Sequence, residues 1–278
     1  MALKELKLDL EAMLSQVVNG KGFLHYGYWD GMDPDGASLA DVGRAQQQYF
    51  ELLQGYIGAP PRTVLDVGSG TGANAAELQS LGYSVECLCP SSRLNALARA
   101  KLKPSTVVHE MTFEAFSPDR GYDVVLFAES FHYIDLVSAV EQLKRLTPKT
   151  IVIFDYFSRQ SERHVGAERS TRRSVEDVLT ALQSTLPGYR MTENRDTTEQ
   201  IAPTFDVLAQ LNRQHVAPFV EELRAALKAE RPFLGRVVNY VLGRLYKGAR
   251  GTGTPSRADE FKARYEYRLI VLNQELVQ

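Results

Sequence analysis

The segment with the clearest chemical capacity in this sequence is 64–74, which reads Val-Leu-Asp-Val-Gly-Ser-Gly-Thr-Gly-Ala-Asn. Its alternate glycines follow an apolar run, and glycine lets the backbone turn tightly and approach a ligand where a Cβ atom would clash. A helix that begins after them would point free N–H groups and the positive end of its dipole at that ligand. The segment therefore predicts a strand–loop–helix element that binds a ligand at its turn.

Two kinds of cofactor site are built on such an element. Gly68, Gly70 and Ala73 satisfy the G-x-G-x-x-G/A fingerprint of dinucleotide binding. That fingerprint also needs an acid about 20 residues further on to hold the ribose hydroxyls, and Cys89 ends the second predicted strand instead. The other interpretation is G-x-G-x-G with Asp66 two residues before the first glycine, where the acid serves a cationic ligand. An NAD-dependent oxidoreductase remains an alternative, and Cys89 counts against it.

Titratable side chains follow the fourth and fifth predicted strands, at the sheet edge where open α/β folds bind substrate. Glu129 and His132 come after the fourth strand, and Asp155 comes at the end of the fifth. A histidine with an ordinary pKa titrates near neutrality, so His132 is the preferred general base and Glu129 a second catalytic candidate. Tyr133 and Tyr156 lie beside them and can add hydrogen bonds or aromatic faces to a substrate site.

Alternating strands and helices position these residues. Apolar runs of strand length are separated by helical patterns, and they lie at residues 63–67, 84–89, 106–109, 123–128 and 149–156. Such alternation predicts a parallel sheet with helices on both faces. With an edge strand at 189–198 and a last strand at 267–272, the expected fold class is α/β, a Rossmann-like, seven-stranded, mostly parallel sheet.

The chain divides into predicted parts around this sheet. Residues 1–58 are expected to form amino-terminal helices and an aromatic lid, the lid being residues 23–31, for which a loop packed on the core is the simpler alternative. Residues 59–198 form the Rossmann-like core. Residues 199–258 show apolar side chains at three- and four-residue steps, which predicts a helical cap over the substrate. Residues 259–278 hold the closing strand of the sheet.

With these motifs, the sequence resembles the class I S-adenosylmethionine-dependent methyltransferases. The resemblance is carried by the Asp66–Gly72 segment, by Glu110-Met-Thr-Phe-Glu-Ala-Phe116 after the third strand, and by Tyr122–His132 around the fourth. The late strand at 267–272 is similar to the antiparallel hairpin that closes this fold. The resemblance implies S-adenosyl-L-methionine as the cofactor.

The resemblance also implies which residues touch that cofactor. They are expected to be Asp66, Gly68, Ser69, Gly70, Gly72, Thr112, Phe113, Tyr26 and Gln46. Thr112 stands where an aspartate usually meets the adenine amino group, and Phe113 is placed to flank the ring. Gln46, or its neighbour Gln47, is placed to reach the methionine carboxylate. The ribose contact stays open, because Cys89 replaces the usual acid; the candidates are Ser91, Ser92 and Arg93.

Within the family, residues 25–30 are similar to those of small-molecule methyltransferases, in which such a segment folds over cofactor and substrate. Tyr28, Trp29, Tyr133 and Tyr156 are therefore candidate substrate contacts. We interpret the sequence as a methyltransferase of a small, largely hydrophobic specialised metabolite, with O-methylation favoured over N- or C-methylation. The alternatives are a cyclase-like member that keeps the cofactor without transferring its methyl group, and a non-catalytic module that binds a partner.

Composition limits the partners and the compartment. The chain has 278 residues, a formal charge of −2 and a pI near 6.2, which gives no electrostatic case for nucleic acid. No apolar run approaches the roughly 20 residues that span a bilayer. Cys87 and Cys89 suit a buried reduced pair, and no histidine has metal-ligand spacing. We expect a cytoplasmic monomer or homodimer that acts on a small molecule without a metal.

Overall fold

The structure is a computed structural model that describes residues 20–159, 173–218, 221–222 and 256–275. The predicted helix before residue 20 and most of the predicted cap beyond residue 222 lie outside the described residues. Within the described parts, no helix has the length and apolar character needed to cross a membrane.

A seven-stranded sheet runs through the described residues. Its strands are β1 (Thr63–Val67), β2 (Ser84–Leu88), β3 (Val108–His109), β4 (Val124–Ala128), β5 (Thr150–Ser158), β6 (Tyr189–Asp196) and β7 (Tyr265–Gln274). The order across the sheet is β3-β2-β1-β4-β5-β7-β6. Strands β1 to β5 pair in parallel, and β7 is antiparallel to both β5 and β6. The prediction of a Rossmann-like, seven-stranded, mostly parallel sheet is confirmed.

Helices connect the strands, and several of them begin at capping side chains. They are α1 (Leu39–Ile57), α2 (Ala73–Ser80), α3 (Ser92–Lys101), α4 (Leu136–Leu146), α5 (Val175–Thr185), α6 (Thr198–Ile201), α7 (Pro203–Leu211) and α8 (Arg257–Arg264). A π-helical turn, Asn212–Val216, continues α7. The caps Ser38, Asp135 and Ser174 each accept a hydrogen bond from the backbone N–H three residues further on, which satisfies a donor that the helix leaves unpaired.

The carboxyl-terminal part differs from the prediction, because helix α8 precedes the closing strand. Ser256 caps α8 by accepting from the N–H of Asp259, and Asp206 on α7 accepts from the N–H of Arg257 at 2.7 Å. The strand pattern begins only at Tyr265. Helix α8 therefore docks on the part of the predicted cap that the structure describes.

Apolar side chains cover both faces of the sheet. Leu126 of β4 and Phe154 of β5 face the layer formed with α1 and α2, while Val125 and Ile153 face the layer formed with α4 and α5. Burial on both faces explains why the central strands are continuous apolar runs. By contrast, β6 alternates half-buried and exposed residues, as an edge strand should. The sheet thus provides a rigid base whose carboxyl edge carries the site.

Candidate active site

The loop between β1 and α2 carries glycines in the left-handed backbone region. Gly68, Gly70 and Gly72 have φ angles of 73°, 55° and 75°. A Cβ atom on Gly68 would lie 2.3 Å from Cβ of Ser130, and one on Gly72 would lie 2.8 Å from Cβ of Ala98. Both the conformation and the space therefore require glycine at these two positions.

A buried carboxylate oxygen without a hydrogen-bond partner lies beside this loop. It is Oδ2 of Asp66 in β1. The other buried polar side chains here have partners within the protein: His25 bonds to Asn74, and Ser69 to the thiol of Cys87. Buried polar groups are nearly always paired, so the unpaired oxygen of Asp66 indicates a place for a polar ligand. Burial also raises the pKa of Asp66 to about 7 and lowers that of His25 to about 4.

The predicted aromatic lid is held by backbone hydrogen bonds between α1 and α7. Gln46 donates its side-chain amide to the carbonyl of His25 at 2.7 Å, and the N–H of Tyr28 donates to the carbonyl of Ala45 at 2.8 Å. The hydroxyl of Thr204 accepts from the N–H of Gly27 at 3.1 Å. Gln46 therefore fixes the aromatic segment, and this placement does not favour the predicted contact with the methionine carboxylate.

Trp29 and Tyr28 are buried by this docking. The indole of Trp29 packs between α1 and α7, and its Nε1 donates to the hydroxyl of Thr204 at 2.8 Å. Tyr28 belongs to the core layer beside α1. These placements favour packing roles for both residues over the predicted substrate contacts.

His132 and Asp155 form a buried pair where β4 and β5 end. Nδ1 of His132 lies 2.8 Å from Oδ1 of Asp155, and the backbone N–H of His132 donates to Oδ2 at 3.0 Å. The N–H of Tyr156 donates to the same carboxylate at 2.8 Å. Because the ionised carboxylate of Asp155 can only accept hydrogen bonds, Nδ1 of His132 carries the proton. The free lone pair of His132 is therefore at Nε2. That atom is buried and has no hydrogen-bond partner, as a base awaiting an acidic hydroxyl would be.

Glu129 links the end of β4 to the aromatic segment and to β7. Its Oε1 accepts from the N–H of Tyr26 at 2.8 Å and from the hydroxyl of Tyr267 at 2.7 Å. The hydroxyl of Tyr267 also lies 3.1 Å from that of Tyr49. Burial raises the pKa of Glu129 to about 8, and the two hydrogen bonds oppose that rise.

Aromatic rings surround the His132–Asp155 pair and Glu129. The ring of His132 lies 3.9 Å from that of Tyr133 and 4.5 Å from that of Tyr156. Tyr26 packs on Phe205 of α7 at 4.7 Å, and its hydroxyl lies within electrostatic reach of Glu129. Burial raises the pKa of Tyr26, so its hydroxyl stays neutral. Tyr133 is 68% exposed at the edge of this cluster.

The motif after β3 places its two predicted adenine contacts differently. Thr112 is exposed, as a ligand contact at the surface of a cleft can be. Phe113 is only 2% exposed and packs edge-on against Phe127 of β4 at 5.3 Å. Gln142 of α4 donates to the carbonyl of Phe113 at 2.6 Å. Phe113 is therefore placed as a core residue, and Met111 is the exposed apolar side chain of this loop.

The end of β2 offers limited choices for a ribose contact. The thiol of Cys89 is buried and receives hydrogen bonds from the N–H groups of Gly70 and Ser91. The hydroxyl of Ser91 is used as the cap of α3. Ser92 is exposed. The ribose contact stays a prediction, with Ser91, Ser92 and Arg93 as its candidates.

A known family accounts for this arrangement. A family model described as a methyltransferase domain matches residues 42–219, which include the glycine loop, Glu129 and the His132–Asp155 pair. The chain belongs to this methyltransferase family. The prediction from the glycine loop and the later motifs is thereby confirmed, and the dinucleotide alternative loses its basis.

The curated relatives of this methyltransferase are uncharacterised. The chain is 32% identical over 113 residues to uncharacterised methyltransferases of Mycobacterium bovis and Mycobacterium tuberculosis. The match covers 40% of this chain and 46% of each relative, so the chain spans about half the length of the curated relatives that it matches.

Solved structures share the fold over nearly the whole chain. The [4+2]-cyclase SpnF is 16% identical with a TM-score of 0.64, covering 96% of this chain and 95% of its own. Geranyl diphosphate C-methyltransferase of Streptomyces coelicolor, solved with S-adenosyl-L-homocysteine, is 16% identical with a TM-score of 0.65, covering 95% and 92%. A sarcosine dimethylglycine methyltransferase of Galdieria sulphuraria, so far only assigned as such, is 14% identical with a TM-score of 0.65, covering 96% and 98%.

Sequence reasoning missed several residues of this site. It named Asp155 as titratable but did not pair it with His132, although β4 and β5 are neighbours in the expected sheet. Tyr267 and Thr204 had no signal, because each meets its partner across more than a hundred residues of sequence. Among the described residues, no cluster of three His, Cys, Asp or Glu residues could hold a metal ion.

Replacing Asp66 with asparagine is expected to stabilise the unliganded methyltransferase above about pH 7. Because the pKa of Asp66 is raised to about 7 in the folded state, the fold holds a proton that the unfolded chain releases near pH 4. Stability therefore falls as pH rises from about 4 to 7, and asparagine removes that loss. Thermal melts should show a Tm higher by about 3 °C or more at pH 8, with a smaller difference at pH 5.

Asp123→Asn is the matched control for this measurement. Hydrogen bonds from Lys149 and Thr63 hold the pKa of Asp123 at about 2, so its charge favours the folded state above pH 4. Asparagine there should lower the Tm at pH 8, with the opposite sign to the change at Asp66. A lower Tm for the Asp66 variant at pH 8 would contradict the prediction.

Proposed function

We propose that this methyltransferase binds S-adenosylmethionine at the β1–α2 loop and transfers the methyl group to a hydroxyl of a small, largely hydrophobic specialised metabolite. The observation that carries the choice of hydroxyl is the buried Nε2 of His132, which has no hydrogen-bond partner while Asp155 fixes the opposite side of the ring. A neutral amine attacks through its own lone pair, whereas a hydroxyl must lose a proton as it attacks.

The residues at the loop fit the cofactor. S-adenosylmethionine carries an ammonium group and hydroxyls that can donate to acceptors. Oδ2 of Asp66 is buried without a partner, and the hydroxyl of Ser69 lies beside the thiol of Cys87. The glycines at 68, 70 and 72 let the backbone approach it closely. Asp66, Ser69 and this backbone would hold the cofactor. The cofactor supplies an activated methyl group, so the protein contributes mainly orientation and proton transfer.

His132 performs the proton transfer in this proposal. Nε2 would accept the hydrogen bond of the acceptor's hydroxyl and take its proton as that oxygen is methylated. The bound cofactor would supply the methyl group and keep the electron pair of the broken carbon–sulfur bond. Asp155 stabilises the imidazolium that results, because its carboxylate already accepts from Nδ1.

Aromatic side chains support the hydrophobic acceptor. Tyr133 and Tyr156 flank His132, while Phe205 and Phe261 stack at 4.4 Å between α7 and α8. Solved neighbours of this fold hold small molecules such as geranyl diphosphate, which agrees with a small-molecule acceptor. We include a cytoplasmic location in the proposal, because the buried Cys87 and Cys89 are both free thiols.

Binding and product analysis test the proposed function together. Isothermal titration should show binding of S-adenosylmethionine and S-adenosylhomocysteine and none of NAD. Incubation with methyl-labelled cofactor and a panel of phenols, alcohols and amines should place label on oxygen and release S-adenosylhomocysteine. Label only on amines would contradict O-methylation. Conversion of an acceptor with the cofactor left intact would favour the cyclase-like alternative.

A further inference from the structure

Glu129 lies beside the glycine loop but has no role in the proton transfer. Strands β1 and β4 are adjacent, with Val67 paired to Phe127. The residue after Glu129, Ser130, lies against Gly68 and donates its hydroxyl to the carbonyl of Val67. Glu129 therefore directly precedes the residue that contacts the loop that the proposed function gives to the cofactor.

The backbone of Glu129 is held in an unfavourable conformation. Its φ of 54° is in the left-handed region, which a non-glycine residue seldom adopts. Its N–H donates to the carbonyl of Phe154 at 2.9 Å, while Oε1 accepts from Tyr26 and Tyr267. Strain of this kind persists where the surrounding structure fixes a functional group. These contacts fix Oε1, while the residue as a whole is half-buried.

The surroundings of this carboxylate lack a positive charge in the part of the chain that the structure describes. The groups that interact electrostatically with the Glu129 carboxylate are acidic or phenolic: Tyr26, Tyr49, Asp155, Tyr156 and Tyr267. No described ion pair includes Glu129 or Asp66. A carboxylate removed from water without a cation is costly, so this position favours a ligand that brings a positive charge.

We propose that Glu129 is a specificity-determining residue that recognises the positive charge of the sulfonium, and so makes the site prefer S-adenosylmethionine to S-adenosylhomocysteine. The inference rests on the proposed function, because it assumes that this cofactor occupies the loop. The two molecules differ by the methyl group and by the charge on sulfur. Loss of that charge on methyl transfer weakens the attraction to Glu129, which favours release of the product.

Affinities of the two ligands without any acceptor test this inference. For the wild type at pH 8.5, we expect S-adenosylmethionine to bind at least tenfold more tightly than S-adenosylhomocysteine. Glu129→Gln should reduce that ratio about tenfold, chiefly by weakening S-adenosylmethionine. Glu193→Gln is the matched control, because Glu193 is also half-buried and accepts from a tyrosine hydroxyl, that of Tyr56 at 2.7 Å, but lies on the edge strand β6; its ratio should stay within threefold of the wild type.

The pH dependence of the wild-type ratio gives a second readout that needs no variant. Burial raises the pKa of Glu129 to about 8, so below that pH the cation must displace a proton to bind. The ratio should rise between pH 6.5 and 8.5. Asp66 has a pKa of about 7, so it also titrates in this range. In the proposal it contacts a part of the cofactor that both ligands share, so its titration changes both affinities equally and cancels in their ratio.

The outcomes separate the two proposals. A ratio that stays the same in Glu129→Gln and across this pH range, with both ligands bound, overturns the role of Glu129 and leaves the proposed function standing. Failure of the wild type to bind either ligand overturns the proposed function itself. If Glu129→Gln does not fold, the pH series on the wild type decides alone: a flat ratio overturns the inference and a rising ratio supports it.

Discussion

Replacing His132 with alanine is expected to lower kcat for hydroxyl methylation by about 10²- to 10⁴-fold, the range that a positioned general base contributes. The affinity for S-adenosylmethionine should stay within about threefold, because the side chain of His132 contacts Tyr133, Asp155 and Tyr156, away from the glycine loop. The measurement is kcat with the phenolic acceptor that reacts fastest in the panel, together with the Kd of the cofactor by titration.

Asp155→Asn separates a base from a structural histidine. The asparagine keeps the size of the side chain, but its amide can donate a hydrogen bond to Nδ1, where the carboxylate only accepts one. The proton of the neutral imidazole can then sit on Nε2, so the lone pair of His132 no longer faces the substrate. We expect kcat to fall by a similar amount, and the acidic limb of the pH–rate profile to shift. A merely structural role would lower the Tm without moving that limb.

His109→Ala is the matched control for the loss of a histidine. His109 is also bonded to a carboxylate, with Nε2 at 2.9 Å from Oε2 of Glu86, but it lies on β3. Its removal should leave kcat within about twofold of the wild type. Unchanged turnover in His132→Ala would mean that the methyltransferase works by positioning alone or uses another base.

Replacing Gly68 with alanine is expected to weaken S-adenosylmethionine binding by about 100-fold or more. The φ of 73° at Gly68 costs an alanine about 1–2 kcal/mol. Its methyl group would also sit 2.3 Å from Cβ of Ser130, so the loop or the end of β4 must move. Either movement displaces the surface that the cofactor contacts. Titration of S-adenosylmethionine checks the loss, and circular dichroism checks that the variant is folded.

Gly36→Ala is the matched control for the backbone strain. Gly36 has a nearly identical φ of 70°, but nothing lies within 4 Å of the position of its Cβ. The two variants therefore share the backbone strain and differ in the steric conflict and in the site. Gly36→Ala should lower the Tm slightly and leave the Kd within about twofold. Equal cofactor affinity in Gly68→Ala and the wild type would contradict the assignment of the loop.

The sequence predicted the scaffold well where local patterns decide it. The strand Thr63–Val67 matches at both ends, since an apolar run meets a glycine that cannot continue the strand. The seven-stranded sheet follows from the alternation of strands and helices. Helix α8 was missed because its apolar content is low and its cap, Ser256, follows a polar loop.

The site was predicted in residue type more than in orientation. His132 follows a predicted strand, and its position at the sheet edge needed only the topology. The side chain of Phe113, by contrast, turns into the core, and Gln46 turns to the carbonyls of the aromatic segment. Which way a loop side chain points depends on packing against distant residues, such as Phe127 and His25, and no local pattern carries that information.

The two hydrogen bonds at Thr204 have a consequence for binding. Thr204 on α7 joins the aromatic segment at Gly27 and Trp29, and the neighbouring Tyr26 donates to Glu129 beside the cofactor loop. These hydrogen bonds join α7, the aromatic segment and Glu129 in one network, so we expect a movement of α7 to alter the hydrogen bond at Glu129. Under the proposed function, we therefore expect the acceptor and the cofactor to change each other's affinity.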